Sequence, residues 1–147
     1  MDYRQPQAQQ SLKPSDYEHV IVVFGSRGFR DKHLFHNALI KYLEDIDGPA
    51  LFVSGAAPSG PDDFIISWCH RYGYPCLTKP AKWQRADGST NRAAGFERNE
   101  DMAKLCTEGI GFWDQKSPGT ANMLDHMVEY KKPVRVVDVS PEIVDQA

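Results

Sequence analysis

Apolar and polar positions fall into blocks along this chain, and the blocks have two different periods. Residues 19–24 (HVIVVF) form a near-continuous apolar run, the pattern of a strand buried on both faces. Over residues 31–46 the apolar positions Leu34, Phe35, Ala38, Leu39, Tyr42, Leu43 and Ile46 recur at helical spacing. Asp31 is placed to cap that helix and Gly48-Pro49 to stop it. The same reading gives strands at 50–53, 75–79, 109–113 and 133–139, and helices at 61–72, 96–106 and 119–131. Pro61 suits a first helical position and Gly73 an end. Strands and helices thus alternate about five times, which calls for right-handed crossovers and a mostly parallel sheet. The expected fold is α/β: a Rossmann-like, doubly wound sheet of about five strands with flanking helices.

Both ends depart from this pattern. Residues 1–17 are rich in Gln, Pro and Ser and read as a disordered polar tail. The folded domain is expected over 18–139, and 140–147 as a loose C-terminal tail.

Composition narrows the classes. Of 147 residues, 41% are hydrophobic and 25% charged, which is ordinary for a globular domain. The formal net charge of −3 carries no basic excess, so nucleic acid is not an expected partner. The N-terminus lacks an apolar leader and no apolar run is long enough for a bilayer, so a cytoplasmic protein without membrane contact is expected. Cys69, Cys76 and Cys106 are odd in number and widely spaced, which reads as small buried hydrophobes. The five histidines show no metal-ligand spacing, so neither a metal nor another cofactor is expected.

In a doubly wound sheet, ligands bind beyond the carboxyl ends of the strands. Four segments should lie there. Gly25-Ser26-Arg27-Gly28 follows the strongest strand; its glycines permit close approach, Ser26 offers a hydroxyl and Arg27 a phosphate partner. It is neither a P-loop nor a G-x-G-x-x-G turn. Residues 54–63 (SGAAPSGPDD) carry Gly55, Gly60 and two carboxylates; Asp63 suits a role at the helix start and Asp62 a role toward ligand. Residues 80–102 hold Lys82, Arg85, Arg92 and Arg98. They also hold Trp83, which suits base stacking or a core anchor equally. Arg98 and Asn99 at a helix start set a cation against the dipole, which calls for an anion or carboxylate beside it. Residues 114–123 bring Ser117, Gly119 and Thr120 to a helix N-terminus, a ready phosphate site or a simple cap.

Five short motifs occur in order: GSR after the first strand, Gly60-Pro61-Asp62, Pro80-Ala81-Lys82-Trp83, Gly95-x-x-Arg98-Asn99-x-x-Met102 and Gly119-Thr120-x-x-Met123. Together they resemble the YspA-like branch of the SLOG superfamily, which also holds the cytokinin-activating LOG enzymes. The resemblance spans about residues 19–138. It implies a pocket for a nucleoside phosphate, NAD or ADP-ribose-like ligand, used for sensing or sequestration, and by analogy a homodimer. Gly25, Ser26, Arg27, Gly55, Gly60, Asp62, Trp83, Arg98, Asn99, Gly119 and Thr120 would line it. An alternative is an N-glycosidase releasing free base, with Arg98 and Asp62 as catalytic residues. The glutamate that LOG enzymes use has no counterpart, since Asn122 and Met123 occupy that part of the helix. A third reading is an accessory domain for a protein partner.

Overall fold

The computed structural model describes residues 2–141. Five strands form one sheet in the order β3-β2-β1-β4-β5. They are β1 (His19–Gly25), β2 (Ala50–Ser54), β3 (Cys76–Thr78), β4 (Glu108–Trp113) and β5 (Val134–Asp138), and every pairing is parallel. Four helices follow strands in turn: α2 (Lys32–Glu44), α3 (Pro61–Tyr72), α4 (Ala94–Leu105) and α5 (Pro118–Glu129). The doubly wound α/β architecture is therefore as expected. α2 stops short of Gly48-Pro49, at Asp45. Asp31 caps it, accepting from the Leu34 amide at 3.0 Å. Gly73 ends α3 in the left-handed conformation, its N–H on the Cys69 carbonyl. Among the described residues no helix is long and apolar enough to cross a membrane.

Alternation along β1 builds the core. Ile21 and Val23 face one side with Phe35, Leu39, Phe52, Ile65 and Phe112. Val20, Val22 and Phe24 face the other with Leu51, Val53, Met102, Met123 and Met127. Two apolar layers thus sandwich the sheet, which is why β1 reads as an unbroken apolar run. All three cysteines are buried and free. Burial pushes the Cys69 thiol up, and the Cys106 thiol up to about 11, so neither is a nucleophile at neutral pH.

The N-terminal segment differs from the expected tail. It carries a short helix, α1 (Pro6–Gln10), and a 3₁₀ turn at Pro14–Asp16. Gln9 explains the docking: its amide donates to the Cys76 carbonyl at 2.9 Å and its oxygen accepts from the Thr78 N–H at 2.7 Å. One side chain thereby satisfies two groups on the open edge of β3, as a neighbouring strand would. Arg4 adds an ion pair to Asp63 at 3.4 Å. A composition rich in Gln cannot reveal this, because the partner is a distant edge strand. At the other end, residues 142–147 of the expected C-terminal tail lie outside the described residues.

Candidate functional site

The chain passes from one face of the sheet to the other between β1 and β4, so the loops after these strands diverge and leave a crevice. A cleft of about 360 Å³ lies there. Its walls are the loop after β1, the N-terminus of α5, Asp62 from α3, and Arg98, Asn99 and Met102 from α4. A second hollow of about 440 Å³ adjoins it, sharing Arg27, Ala57 and Arg98 and bounded by Gly55, Pro80 and Trp83. Gly25, Ser26, Arg27, Asp62, Arg98, Asn99, Gly119 and Thr120 thus line the cleft, and Gly55 and Trp83 the hollow. Gly60 lines neither. It is the N-cap of α3 with φ 76° and packs on the Ser26 carbonyl, where a Cβ would collide.

Several expected ligand contacts are internal ties. Ser26 is 2% exposed. Its hydroxyl accepts from the Asp114 N–H at 3.0 Å, joining the two loops that bound the crevice. At Gly25 a Cβ would strike the Phe112 carbonyl and Pro61, so close packing by itself requires glycine there. Asn99 is buried and clamps α4 to α5: its amide donates to the Gly119 carbonyl at 3.2 Å and to Asn122 Oδ1 at 3.1 Å. Its oxygen accepts from Arg98 Nε at 3.1 Å.

Arg98 sits one turn inside α4, because the helix begins at Ala94, earlier than its apolar pattern suggests. Its guanidinium donates to the Gly55 carbonyl. Asp62 is 7% exposed and, among the described residues, its carboxylate accepts a single hydrogen bond, from the Ala57 N–H at 3.3 Å. Burial raises its pKa, against the pull of Arg98, the Ala57 N–H and Arg27. Burial likewise lowers that of Arg98, against the attraction of Asp62. Arg27 is exposed and has no hydrogen bond or ion pair among the described residues. It is the cation at the cleft that is not already engaged.

The N-terminus of α5 is uncapped. Ser117 is the N-cap residue but caps nothing. Its hydroxyl donates to Asp114 Oδ2 at 2.8 Å, while Asp114 Oδ1 accepts the Lys116 and Ser117 amides at 2.8 and 2.7 Å. Burial would raise the Asp114 carboxyl; these hydrogen bonds outweigh it and hold the pKa down to about 2. The amides of Gly119 and Thr120 therefore face the cleft with no side-chain acceptor, and a Cβ on Gly119 would meet open space. Two non-glycine residues with positive φ, Ala56 (59°) and Gln115 (69°), lie in the loops around this edge, where strained backbone commonly accompanies a site.

Trp83 is 47% exposed, so it is no core anchor. It stands beside Gly95 on a segment where residues 79–98 hold five basic and two acidic side chains. Trp68 is buried, as expected of a core residue. Sequence spacing gave no metal cluster, yet the fold brings Glu100 of α4 to His126 and Glu129 of α5, with ligand atoms within 4.8 Å. Lys104 and the Tyr130 hydroxyl already serve Glu100, at 3.9 and 2.9 Å.

No protein-family model and no curated protein matches this chain. Among solved structures, it is similar to DNA processing protein A from Helicobacter pylori, solved for its single-stranded DNA binding mode. The identity is 17%, the match covers 97% of this chain and 80% of that one, and the TM-score is 0.59. The likeness bears on the fold. It also runs against two sequence expectations, a nucleotide-derived small ligand and the setting aside of nucleic acid, and both are withdrawn. Net charge does not say where charges sit: the chain totals −3, yet residues 79–98 hold five basic and two acidic side chains.

Proposed function

We propose that this protein binds single-stranded nucleic acid along the carboxyl edge of its sheet. The carrying observation is the pairing of an uncapped helix N-terminus and an unengaged Arg27 with an exposed Trp83 in the adjoining hollow. A backbone phosphate is the natural ligand for free amides at a helix start, where the dipole favours negative charge. Arg27 adds a charge-assisted contact. Lys82, Arg85 and Arg92 are exposed on the 80–93 segment and suit further phosphates of an extended strand. Trp83 offers a face for an unpaired base. A basic track with a stacking aromatic is the general design for single strands. The likeness to a single-stranded DNA binding protein supports the same reading. Kinship with the SLOG superfamily is part of this proposal, since all five motifs border the cleft or the hollow.

The test is an anisotropy titration of a labelled 20-mer single strand, with the same sequence as duplex for comparison. The expected result is saturable binding that weakens steeply with salt and prefers the single strand. Absence of binding at low salt contradicts the reading.

A further inference from the structure

The chemistry of Asp62 is unusual for a polyanion site. A carboxylate this deeply buried, 7% exposed, normally sits in a full set of donors. Here it accepts one hydrogen bond, at 3.3 Å, although two carboxylate oxygens offer about four acceptor positions. The remaining capacity opens on the cleft, whose wall Asp62 forms. As a carboxylate it calls for a ligand that donates a hydrogen, which no phosphodiester does.

The place of Asp62 says which part of a strand it meets. The phosphate-binding amides lie in the cleft and Trp83 lies in the hollow. Ala57 and Arg98 belong to both, and both adjoin Asp62: a Cβ on Gly55 would lie 2.8 Å from Asp62 Oδ2 and 2.5 Å from Arg98 Nη1. In a nucleotide unit the sugar lies between phosphate and base. With the phosphate at α5 and the base at Trp83, the sugar comes to this junction. Arg27 and Arg98 offset the charge that the carboxylate would otherwise set against the strand.

We propose that the cleft selects ribose, with Asp62 accepting a hydrogen bond from the 2′-hydroxyl of one unit in the strand, so that RNA is bound in preference to DNA. This rests on the single-strand reading above and sharpens its substrate class. The 2′-hydroxyl is the group by which a site tells RNA from DNA. A site built to pair a hydroxyl discriminates strongly against the analogue lacking it, because its own acceptor is then left unpaired.

The experiment compares oligouridylate with oligodeoxyuridylate of equal length, which differ only at the 2′ position. Wild-type protein is expected to bind the ribo form at least about tenfold more tightly, the scale set by one well-made hydrogen bond to a charged group. In Asp62→Ala the ratio is expected to fall to about one through weaker ribo binding, with the deoxy affinity kept or improved by loss of a negative charge. Asp62→Asn keeps the volume but replaces the charged acceptor with a weaker neutral one, which separates loss of the carboxylate from loss of the fold; its ratio is expected to fall by a smaller factor. Tight binding of both strands with equal affinity overturns the ribose assignment and leaves the single-strand reading standing. A ratio unchanged in both variants removes Asp62 from the role. Failure of both strands to bind wild-type protein overturns the single-strand reading and this inference with it.

Discussion

The Arg98 guanidinium donates to the Gly55 carbonyl and so ties α4 to the loop after β2. This fixes the division of labour between two arginines at one cleft. Arg98 is half-buried and engaged, whereas Arg27 is exposed and unengaged. Arg27→Ala is expected to lower single-strand affinity about tenfold and to reduce the salt slope by roughly one phosphate contact, leaving thermal stability unchanged. Arg98→Ala is expected to cost about 1–3 kcal/mol of stability, because it strands a carbonyl and a buried carboxylate. Paired denaturation and binding curves separate the two roles.

Gly119 gives a prediction in which stability and binding move in opposite directions. It occupies the second position of α5, with open space where a Cβ would go. Gly119→Asp is expected to stabilise the helix by about 0.5–1 kcal/mol, through lower chain entropy and a carboxylate at the positive end of the dipole. The same carboxylate would occupy the amides and repel phosphate. A rise in Tm together with loss of strand binding is the expected outcome, read by calorimetry and anisotropy.

Asp114 keeps those amides free by holding the Ser117 hydroxyl at 2.8 Å. Asp114→Ala is expected to release that hydroxyl to cap α5, weakening strand binding severalfold. Asp114→Ala with Ser117→Ala removes the competitor and should recover part of the affinity, though the loop loses order. An Asp114→Ala protein that binds as tightly as wild type would remove this tie from the account.

The sheet was legible because its signals are local. Residues 19–24 are apolar throughout as both faces of β1 are covered, and Asp31, Pro61 and Gly73 mark helix ends by their own chemistry. The site was legible as a set of loops, since the carboxyl edge follows from the topology. What each residue does there was not. Ser26 and Asn99 are polar residues in the right loops, yet they spend their hydrogen bonds on Asp114 and on α5, partners 88 and 20–23 residues away. Gln9 on β3 is the same case. No short window of sequence contains such a pair, whereas the basic run over residues 79–98 is local and could be read directly.

At the amino edge of the sheet, His19 sets a pH dependence. Its Nδ1 lies 2.7 Å from Glu108 Oε2 and its Nε2 2.7 Å from the Asp47 carbonyl. Two acceptors require two donors, which is the imidazolium. The bond to Glu108 raises the His19 pKa above its ordinary 6.5, against a smaller opposing effect of burial. A raised pKa means that this contribution is complete below about 6.5 and is lost as pH rises through the folded value. For Glu108, burial pushes upward but hydrogen bonds from Tyr42, His19 and Thr107 prevail and lower the pKa. Its contribution is present above its ordinary 4.5 and is lost as pH falls through the lowered value. Stability from this pair should peak between these limits. Chemical denaturation of wild type and His19→Gln across pH 4–9 checks it: the variant is expected to lose the decline on the alkaline side.

Trp83 is 47% exposed, whereas Trp68 is buried and the half-buried Trp113 already donates its indole N–H to the Ser117 carbonyl at 3.3 Å, so Trp83 is the indole open to a stacked base. Trp83→Ala is expected to weaken binding by about 1–3 kcal/mol, the usual worth of one stacked base, without lowering Tm.

The most direct measurement is an amide-correlation NMR titration of isotope-labelled protein with a short single strand. The largest shifts are expected on the amides of Arg27, Gly28, Gly119 and Thr120 and on the Trp83 indole N–H, with the α2–α3 face unmoved. A strand that binds and shifts other surfaces while leaving the Gly119 and Thr120 amides in place would contradict this.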